Sequence, residues 1–124
     1  MSDPCGSVLI VDDEALIAEF LSILIKDMGL EVCGIAATAA AAIALAQQHR
    51  PKVVLMDVRL RGAQDGVDAA LAIHESVGSK VIFITGSREP ETIARIRSDH
   101  PTAVLFKPVS DWQLETAVRG ALRG

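Results

Sequence analysis

The sequence predicts an α/β domain, a doubly wound five-stranded parallel sheet covered on both faces by five helices. Short, continuously apolar runs alternate strictly with stretches of helical periodicity along the whole chain. Continuous apolar runs are typical of strands buried on both faces, and strict alternation with helices indicates a parallel sheet. The 124 residues, of which 50% are hydrophobic, are enough for one such domain.

The first four elements are two strands and two helices. The apolar runs 8–11 and 32–36 are predicted strands. Between them, a helix over 14–28 is predicted by apolar residues at three- and four-residue spacing, namely Leu16, Ile17, Phe20, Leu21, Leu24 and Met28. Thr38 can cap the alanine-rich helix that runs to about Gln48, and its small side chains favour close packing on a sheet.

The remaining six elements continue the alternation. The apolar runs 53–56, 81–84 and 103–106 are predicted strands. The helices that follow them are marked by Val67, Ala70, Leu71 and His74, by Ile93 and Ile96, and by Leu114, Ala117, Val118 and Leu122. Pro90 suits the first turn of the fourth helix, and the Ser110–Gln113 capping box opens the fifth. We assign residues 7–122 to one domain, preceded by an N-terminal extension at 1–6.

Composition excludes several functional classes. A formal net charge of −4 and 3% aromatic residues offer neither general attraction to nucleic acid or anionic membranes nor a base-stacking surface. No run is long enough to span a membrane, and the N-terminus lacks a signal-peptide pattern, so we expect a cytoplasmic protein with no membrane partner. Cys5 and Cys33 match no zinc spacing, and we expect Cys33 to be a buried reduced thiol.

Polar residues follow four of the predicted strands at the point where each ends. Asp12 and Asp13 follow the first strand, Asp57 the third, Thr85 the fourth and Lys107 the fifth. Functional sites of open parallel sheets lie at the carboxyl ends of the strands. Each residue alone is more often a cap, a turn or a surface residue, but their joint occurrence at one edge favours a common site.

Such a site requires a cation. Two like charges about 4 Å apart repel by about 4 kcal/mol at an effective dielectric of about 20. Oxygen-only ligands select a hard ion, and Mg²⁺ is the candidate cofactor. The metal and Lys107 would neutralise phosphoryl oxygens while Thr85 donates a hydrogen bond, which suits phosphoryl transfer. Asp57 is the candidate nucleophile because it stands alone at the tip of a central strand.

Together these residues resemble the response-regulator receiver family, the CheY-like domains, over nearly the whole chain. The resemblance is carried by Asp12–Asp13, by Asp57, by Thr85–Gly86 and by Lys107–Pro108, in this order and spacing. It implies the flavodoxin-like strand order 2-1-3-4-5 and a cis peptide between Lys107 and Pro108.

The resemblance also implies roles for the acidic residues. Asp57 would receive a phosphoryl group from a histidine kinase or a phosphotransfer protein. Asp13 and Asp57 would bind Mg²⁺ directly with the backbone carbonyl of Arg59, and Asp12 would act mainly through a metal-bound water. The chain would then be no enzyme, since it would catalyse only its own phosphorylation and dephosphorylation.

The resemblance also implies roles for Thr85 and Lys107, but the sequence departs from the family pattern in three places. Thr85 would swing toward the phosphoryl group and Lys107 would pair with it. Val104 occupies the position of the usual aromatic switch residue, so the coupling of Thr85 to the output surface is expected to differ. The loop from Asp57 to Gly66 lacks the usual proline and is one residue longer, and residues 83–86 resemble the F-A-T-G signature of a receiver subgroup.

Output is expected to pass through an unknown downstream protein, as in a stand-alone receiver, because no DNA-binding segment follows the last helix. By resemblance, the candidate output face includes Arg95, Val104 and Trp112. Trp112 could be an interface anchor or could pack on the domain's own edge. Arg88, Arg95 and Arg97 form a basic run, interpreted as a solvated helix face or as a docking site for an acidic partner.

Two alternatives remain open, and a third is disfavoured. A haloacid-dehalogenase-type phosphatase needs a second aspartate two positions after the nucleophile, where this chain has Arg59. A degenerate receiver would bind partners without phosphorylation, although every acidic position is present. A flavin-binding flavodoxin-like protein is disfavoured, since no Ser/Thr/Gly-rich phosphate loop follows the first strand.

Overall fold

Strands and helices alternate along the chain as predicted. The computed structural model describes residues 7–99 and 101–123, so the predicted extension at 1–6, with Cys5, lies outside the described residues. The elements are β1 (Ser7–Val11), α1 (Ala15–Asp27), β2 (Glu31–Ala36), α2 (Ala39–His49), β3 (Val53–Asp57), α3 (Gly66–Ser76), β4 (Lys80–Thr85), α4 (Pro90–Ser98), β5 (Ala103–Phe106) and α5 (Asp111–Arg123). Within the described ranges, no helix combines the length and hydrophobicity needed to cross a bilayer.

All five strands are parallel and lie in the order β2-β1-β3-β4-β5, which confirms the predicted sheet. Successive residues of a strand face opposite sides. Leu9 and Val11 therefore contact the cluster under α2, α3 and α4, whereas Val8 and Ile10 contact the cluster under α1 and α5. Both faces are thus buried, which explains why the strands are continuously apolar.

Side-chain caps fix several helix boundaries. The Thr38 hydroxyl accepts a hydrogen bond from the Ala41 amide at 3.1 Å. Gln113 N donates to Ser110 Oγ at 3.1 Å, and Gln113 Oε1 accepts from Ser110 N at 3.0 Å, so the predicted capping box is present. A second capping box, not predicted from the sequence, opens α3 at Asp65.

Helical periodicity overstated the buried face of two helices. Leu16 is 82% exposed and Phe20 49% exposed, because the side of α1 that meets the sheet carries Ala18, Leu21, Ser22 and Ile25. Leu71 and His74 of α3 are likewise exposed, whereas Val67, Ala70 and Ile73 of the same helix are buried. The apolar residues of α1 extend beyond the stripe that one sheet can cover.

Cys33 is a free thiol that is only half-buried, so the prediction of a buried side chain is wrong in degree. It lies on β2, which is at the edge of the sheet next to β1 in the described part of the chain. Partial burial raises the pKa of its thiol above the ordinary value.

The start of α3 packs against the end of β3 without space for a side chain. Gly66 N donates to the carbonyl of Val58 at 2.7 Å, and a Cβ atom on Gly66 would collide with the backbone carbonyl of Asp57. Glycine at this position therefore lets α3 begin directly behind the predicted nucleophile.

Gly66→Ala should lower the free energy of unfolding by about 2 kcal/mol or more, because backbone atoms must move to admit the methyl group. Urea denaturation with an unchanged m-value measures this loss. The matched control is Gly120→Ala in α5, where a Cβ meets no atom within 4 Å. That variant should be stabilised by about 0.5–1 kcal/mol, and equal effects of the two substitutions would contradict the packing argument.

Candidate functional site

The carboxyl edge of the sheet brings the predicted site residues together. Asp57 and Thr85 are the last residues of β3 and β4, and Lys107 follows β5. They line one cleft of about 650 Å³, whose other lining residues are Asp13, Glu14, Arg59, Gly86, Ser87, Arg88 and Glu89. Because parallel strands end at the same edge of the sheet, residues at the ends of four different strands come together in this cleft.

Three carboxylates form a compact acidic cluster, and two of them, Asp13 and Asp57, line this cleft. One oxygen each of Asp12, Asp13 and Asp57 lies within 4.8 Å of the others. Asp12 is 3% exposed and Asp57 is 7% exposed. Unpaired carboxylates this close and this buried repel strongly, so the cluster needs positive charge.

Lys107 supplies part of that charge. Its Nζ atom lies 3.2 Å from Asp12 Oδ2 and 3.3 Å from Asp57 Oδ2, so one ammonium group bridges two carboxylates. The other oxygen of Asp12 accepts a hydrogen bond from the Glu14 amide at 2.9 Å. Both oxygens of Asp12 are therefore engaged by the protein, whereas Asp13 and Asp57 line the open cleft.

Electrostatics distinguish Asp57 from ordinary carboxylates. Burial raises the pKa of Asp57 to about 6. The charge of Lys107 opposes this shift, and repulsion from Asp12 adds to it. Although partial burial disfavours the ammonium, Asp57 and Asp12 raise the pKa of Lys107 above its ordinary value. At neutral pH the Asp57 carboxylate is mostly ionised and Lys107 is charged.

The hydroxyl of Thr85 lies at the tip of β4, and the residue is 2% exposed. Its Oγ1 atom accepts a hydrogen bond from the Ser87 amide at 3.0 Å. The Ser87 hydroxyl accepts in turn from the Glu89 amide at 3.2 Å. The Thr85 hydroxyl proton has no acceptor within the described ranges and can be donated to a ligand.

The donor set fits a hard divalent cation. Its side-chain donors are carboxylate oxygens, and no sulfur or imidazole joins them among the described residues. Mg²⁺ prefers such ligands and retains several waters, so two open carboxylates and one carbonyl suffice. Arg59 lines the same cleft. The individual ligand assignments to Asp12, Asp13, Asp57 and Arg59 stay predictions.

The three candidate output residues lie outside the cleft. Arg95 binds Asp65 at the start of α3, with Nη1 2.7 Å from Oδ2. Val104 is half-buried against the cluster under α2, α3 and α4. Trp112 is 71% exposed, so most of its side chain is not covered by the domain itself. The geometry leaves their role in output a prediction.

Arg88 is a cleft residue that the sequence did not indicate. The basic run of Arg88, Arg95 and Arg97 predicts a solvated helix face or a docking site, but Arg88 precedes α4 and lines the acidic cleft. Its Cζ atom lies 4.2 Å from the centre of the Phe106 ring. Its position three residues after Thr85 was the only signal in the sequence.

Comparison with known proteins agrees with this geometry. The chain is 34% identical over 115 residues to the transcriptional regulatory protein PdtaR of Mycobacterium tuberculosis, covering 93% of this chain and 56% of PdtaR. It is 30% identical over 122 residues to the phyllosphere-induced regulator PhyR of Methylorubrum extorquens, covering 98% of this chain and 45% of PhyR. The chain thus spans about half the length of these curated relatives.

Solved structures match the fold along nearly its full length. The signal receiver domain of a modulated diguanylate cyclase from Desulfovibrio desulfuricans superposes with a TM-score of 0.90 at 34% identity, covering 94% of this chain and 93% of that one. The receiver domain of PhyR from Erythrobacter litoralis gives a TM-score of 0.85 at 32% identity, covering 95% and 90%. The family described as the response regulator receiver domain matches residues 8–119, and the chain belongs to that family.

Proposed function

We propose that this receiver domain accepts a phosphoryl group on Asp57 in a Mg²⁺-dependent reaction with a phosphohistidine donor. The observation that carries the proposal is the acidic cluster of Asp12, Asp13 and Asp57 with the Lys107 ammonium 3.3 Å from Asp57. A regulatory rather than an enzymatic role fits the family. The proposed reaction is therefore the domain's own phosphorylation and dephosphorylation.

In this proposal, an oxygen of Asp57 attacks the phosphorus of the donor as the phosphorus–nitrogen bond breaks. The donor imidazole leaves with the bonding electron pair, and an aspartyl phosphate forms. Lys107 neutralises one phosphoryl oxygen, and Thr85 donates its hydroxyl proton in a hydrogen bond to another. Bound Mg²⁺ would neutralise further phosphoryl charge.

The proposed metal ligands are Asp13, Asp57 and the backbone carbonyl of Arg59, with Asp12 acting through a metal-bound water. The contacts of Asp12 support the indirect role, because its two oxygens already bind Lys107 and the Glu14 amide. A second-layer carboxylate of this kind orients the groups around it.

The proposed donor is a histidine kinase or a phosphotransfer protein, in the cytoplasm. A macromolecular donor must cover the surface beside the cleft, and that surface is apolar. Leu16, Phe20 and Ile23 of α1 are 82%, 49% and 52% exposed. An apolar depression of about 380 Å³ beside them is lined by Ile17, Phe20, Leu21, Ile84, Lys107, Pro108 and Val109. Exposed apolar patches of this kind are typical of protein interfaces.

Output through a downstream protein is proposed for the surface that carries Trp112, Arg95 and Val104. The exposed Trp112 side chain supports this proposal, because tryptophan is enriched among residues that anchor interfaces. Arg95 is already paired with Asp65, so its charge is partly satisfied within the domain.

Asp57→Asn should abolish the phosphoryl adduct formed with acetyl phosphate and Mg²⁺, because a carboxamide cannot form the acyl phosphate. Intact-mass spectrometry measures the adduct, and circular dichroism checks the fold. The control is Asp27→Asn at the exposed end of α1, which should retain the adduct. A full adduct on Asp57→Asn would move the nucleophile elsewhere, and no adduct on the wild type would support the degenerate-receiver alternative.

Asp57→Asn should also change the pH dependence of stability. The pKa of Asp57 is raised from 3.8 to about 6, so the folded state holds this proton more tightly than the unfolded chain. The metal-free wild type should therefore lose stability relative to the variant as pH rises through this window. At neutral pH the variant should be more stable by about 2–3 kcal/mol. Urea denaturation at each pH measures the free energy of unfolding of the two proteins. A difference between them that does not change with pH would contradict the buried-carboxylate argument.

Lys107→Ala should separate metal binding from phosphorylation. Lys107 is a cation that already occupies the cluster, so its loss should not reduce Mg²⁺ affinity measured by calorimetry. The initial rate of adduct formation should fall by about tenfold or more, because a preorganised positive group is lost. Lys26→Ala on the exposed end of α1 is the control, and loss of metal binding in Lys107→Ala would refute the assigned role.

A further inference from the structure

One guanidinium at the cleft has no assigned function. Arg88 lies in the loop between β4 and α4 and lines the cleft with Asp57 and Lys107. Its Cζ atom is 4.2 Å from the Phe106 ring centre, a distance typical of a cation–π contact. Among the residues described, Arg88 makes no ion pair and no hydrogen bond.

The acidic residue next to Arg88 does not neutralise it. Glu89 lines the same cleft, but its carboxylate accepts a hydrogen bond from the Ser87 hydroxyl at 3.3 Å. No ion pair joins Glu89 to Arg88 in the described ranges. The charge of Arg88 is thus available to an anion that enters the cleft.

The ring contact leaves the guanidinium able to bind a ligand. Its N–H donors make no hydrogen bond to the described residues, so they remain available to an anion in the cleft. The donors form a fork that matches two oxygens of a phosphoryl group. Arg59 also lines the cleft but contacts no aromatic ring among the residues that the structure describes, so its long side chain is not held in this way.

Phosphorylation would increase the demand for positive charge. A phosphoryl group carries about −1.5 to −2 charges near neutral pH, against −1 for a carboxylate. Lys107 is already shared between Asp12 and Asp57. A further cation at the cleft would therefore stabilise the phosphorylated form selectively.

We propose that Arg88 is a phosphoryl-binding residue of this receiver and that Phe106 is a positioning residue that holds its guanidinium at the cleft. The proposal rests on the proposed function, in which Asp57 carries the phosphoryl group. The pair connects the loop after Thr85 to the strand residue that precedes Lys107.

The test uses beryllofluoride, a phosphoryl mimic that adds to aspartate carboxylates, titrated by calorimetry in the presence of Mg²⁺. Arg88→Gln should weaken beryllofluoride binding by about tenfold, since a charged hydrogen-bond donor is lost. Phe106→Leu should weaken it by about threefold, since the stacking contact is lost. The double variant should bind no more weakly than Arg88→Gln alone, because Phe106 acts through Arg88.

Two controls separate this role from a structural one. Arg97→Gln removes the same charge from an exposed position of α4 outside the cleft and should leave beryllofluoride binding unchanged. Titration with Mg²⁺ alone should give equal affinities for all variants, since neither Arg88 nor Phe106 is among the clustered carboxylates.

Wild-type beryllofluoride affinity in Arg88→Gln would overturn the inference and leave the phosphoacceptor proposal standing. If Phe106→Leu weakened beryllofluoride binding equally in the wild type and in Arg88→Gln, the positioning role of Phe106 would be overturned. Failure of the wild type to bind beryllofluoride would overturn the proposed function itself, so the two failures are distinguishable.

Discussion

The properties of the site depend on three carboxylates that the fold holds close together. β1 and β3 are adjacent and parallel, so their ends bring Asp12, Asp13 and Asp57 within 4.8 Å of one another. Two of these carboxylates are buried, and one lysine is shared between them. The stability of the hydrophobic layers above and below the sheet offsets the repulsion and burial of these charges. The concentrated negative charge fits a cation, and burial raises the pKa of Asp57.

The walls of the cleft connect this cluster to the rest of the domain. Gly66 places α3 directly behind Asp57, and Asp65 at the start of that helix binds Arg95 of α4. On the other side, the Thr85 hydroxyl is tied to the Ser87 amide. A ligand that moved the Thr85 hydroxyl away from Ser87 would break this hydrogen bond. The loop before α4 is therefore connected to the cleft through Thr85. If Thr85 turns toward a phosphoryl group, as proposed, these contacts would connect the cleft to the surface without an aromatic residue at Val104.

Sequence periodicity and cap chemistry explain how much of the architecture was predictable. Continuous apolar strands, the Thr38 cap and the Ser110–Gln113 capping box depend on local residue patterns, and all are present. The exposed face of α1 was not predictable in this way. Periodicity identifies a stripe of apolar residues but not the fraction of it that a neighbouring layer covers, so Leu16 and Phe20 were indistinguishable from core residues.

By itself, the sequence determined the alternation of elements, the family resemblance and the polar residues at the strand ends, because these depend on local pattern and order along the chain. Only the tertiary structure decided which charges meet. The contacts that join residues distant in sequence are the sharing of Lys107 between Asp12 and Asp57, the Arg95–Asp65 ion pair and the cation–π contact of Arg88 with Phe106. Such contacts depend on sheet register and helix placement, and the energy of each depends on burial that no single segment specifies.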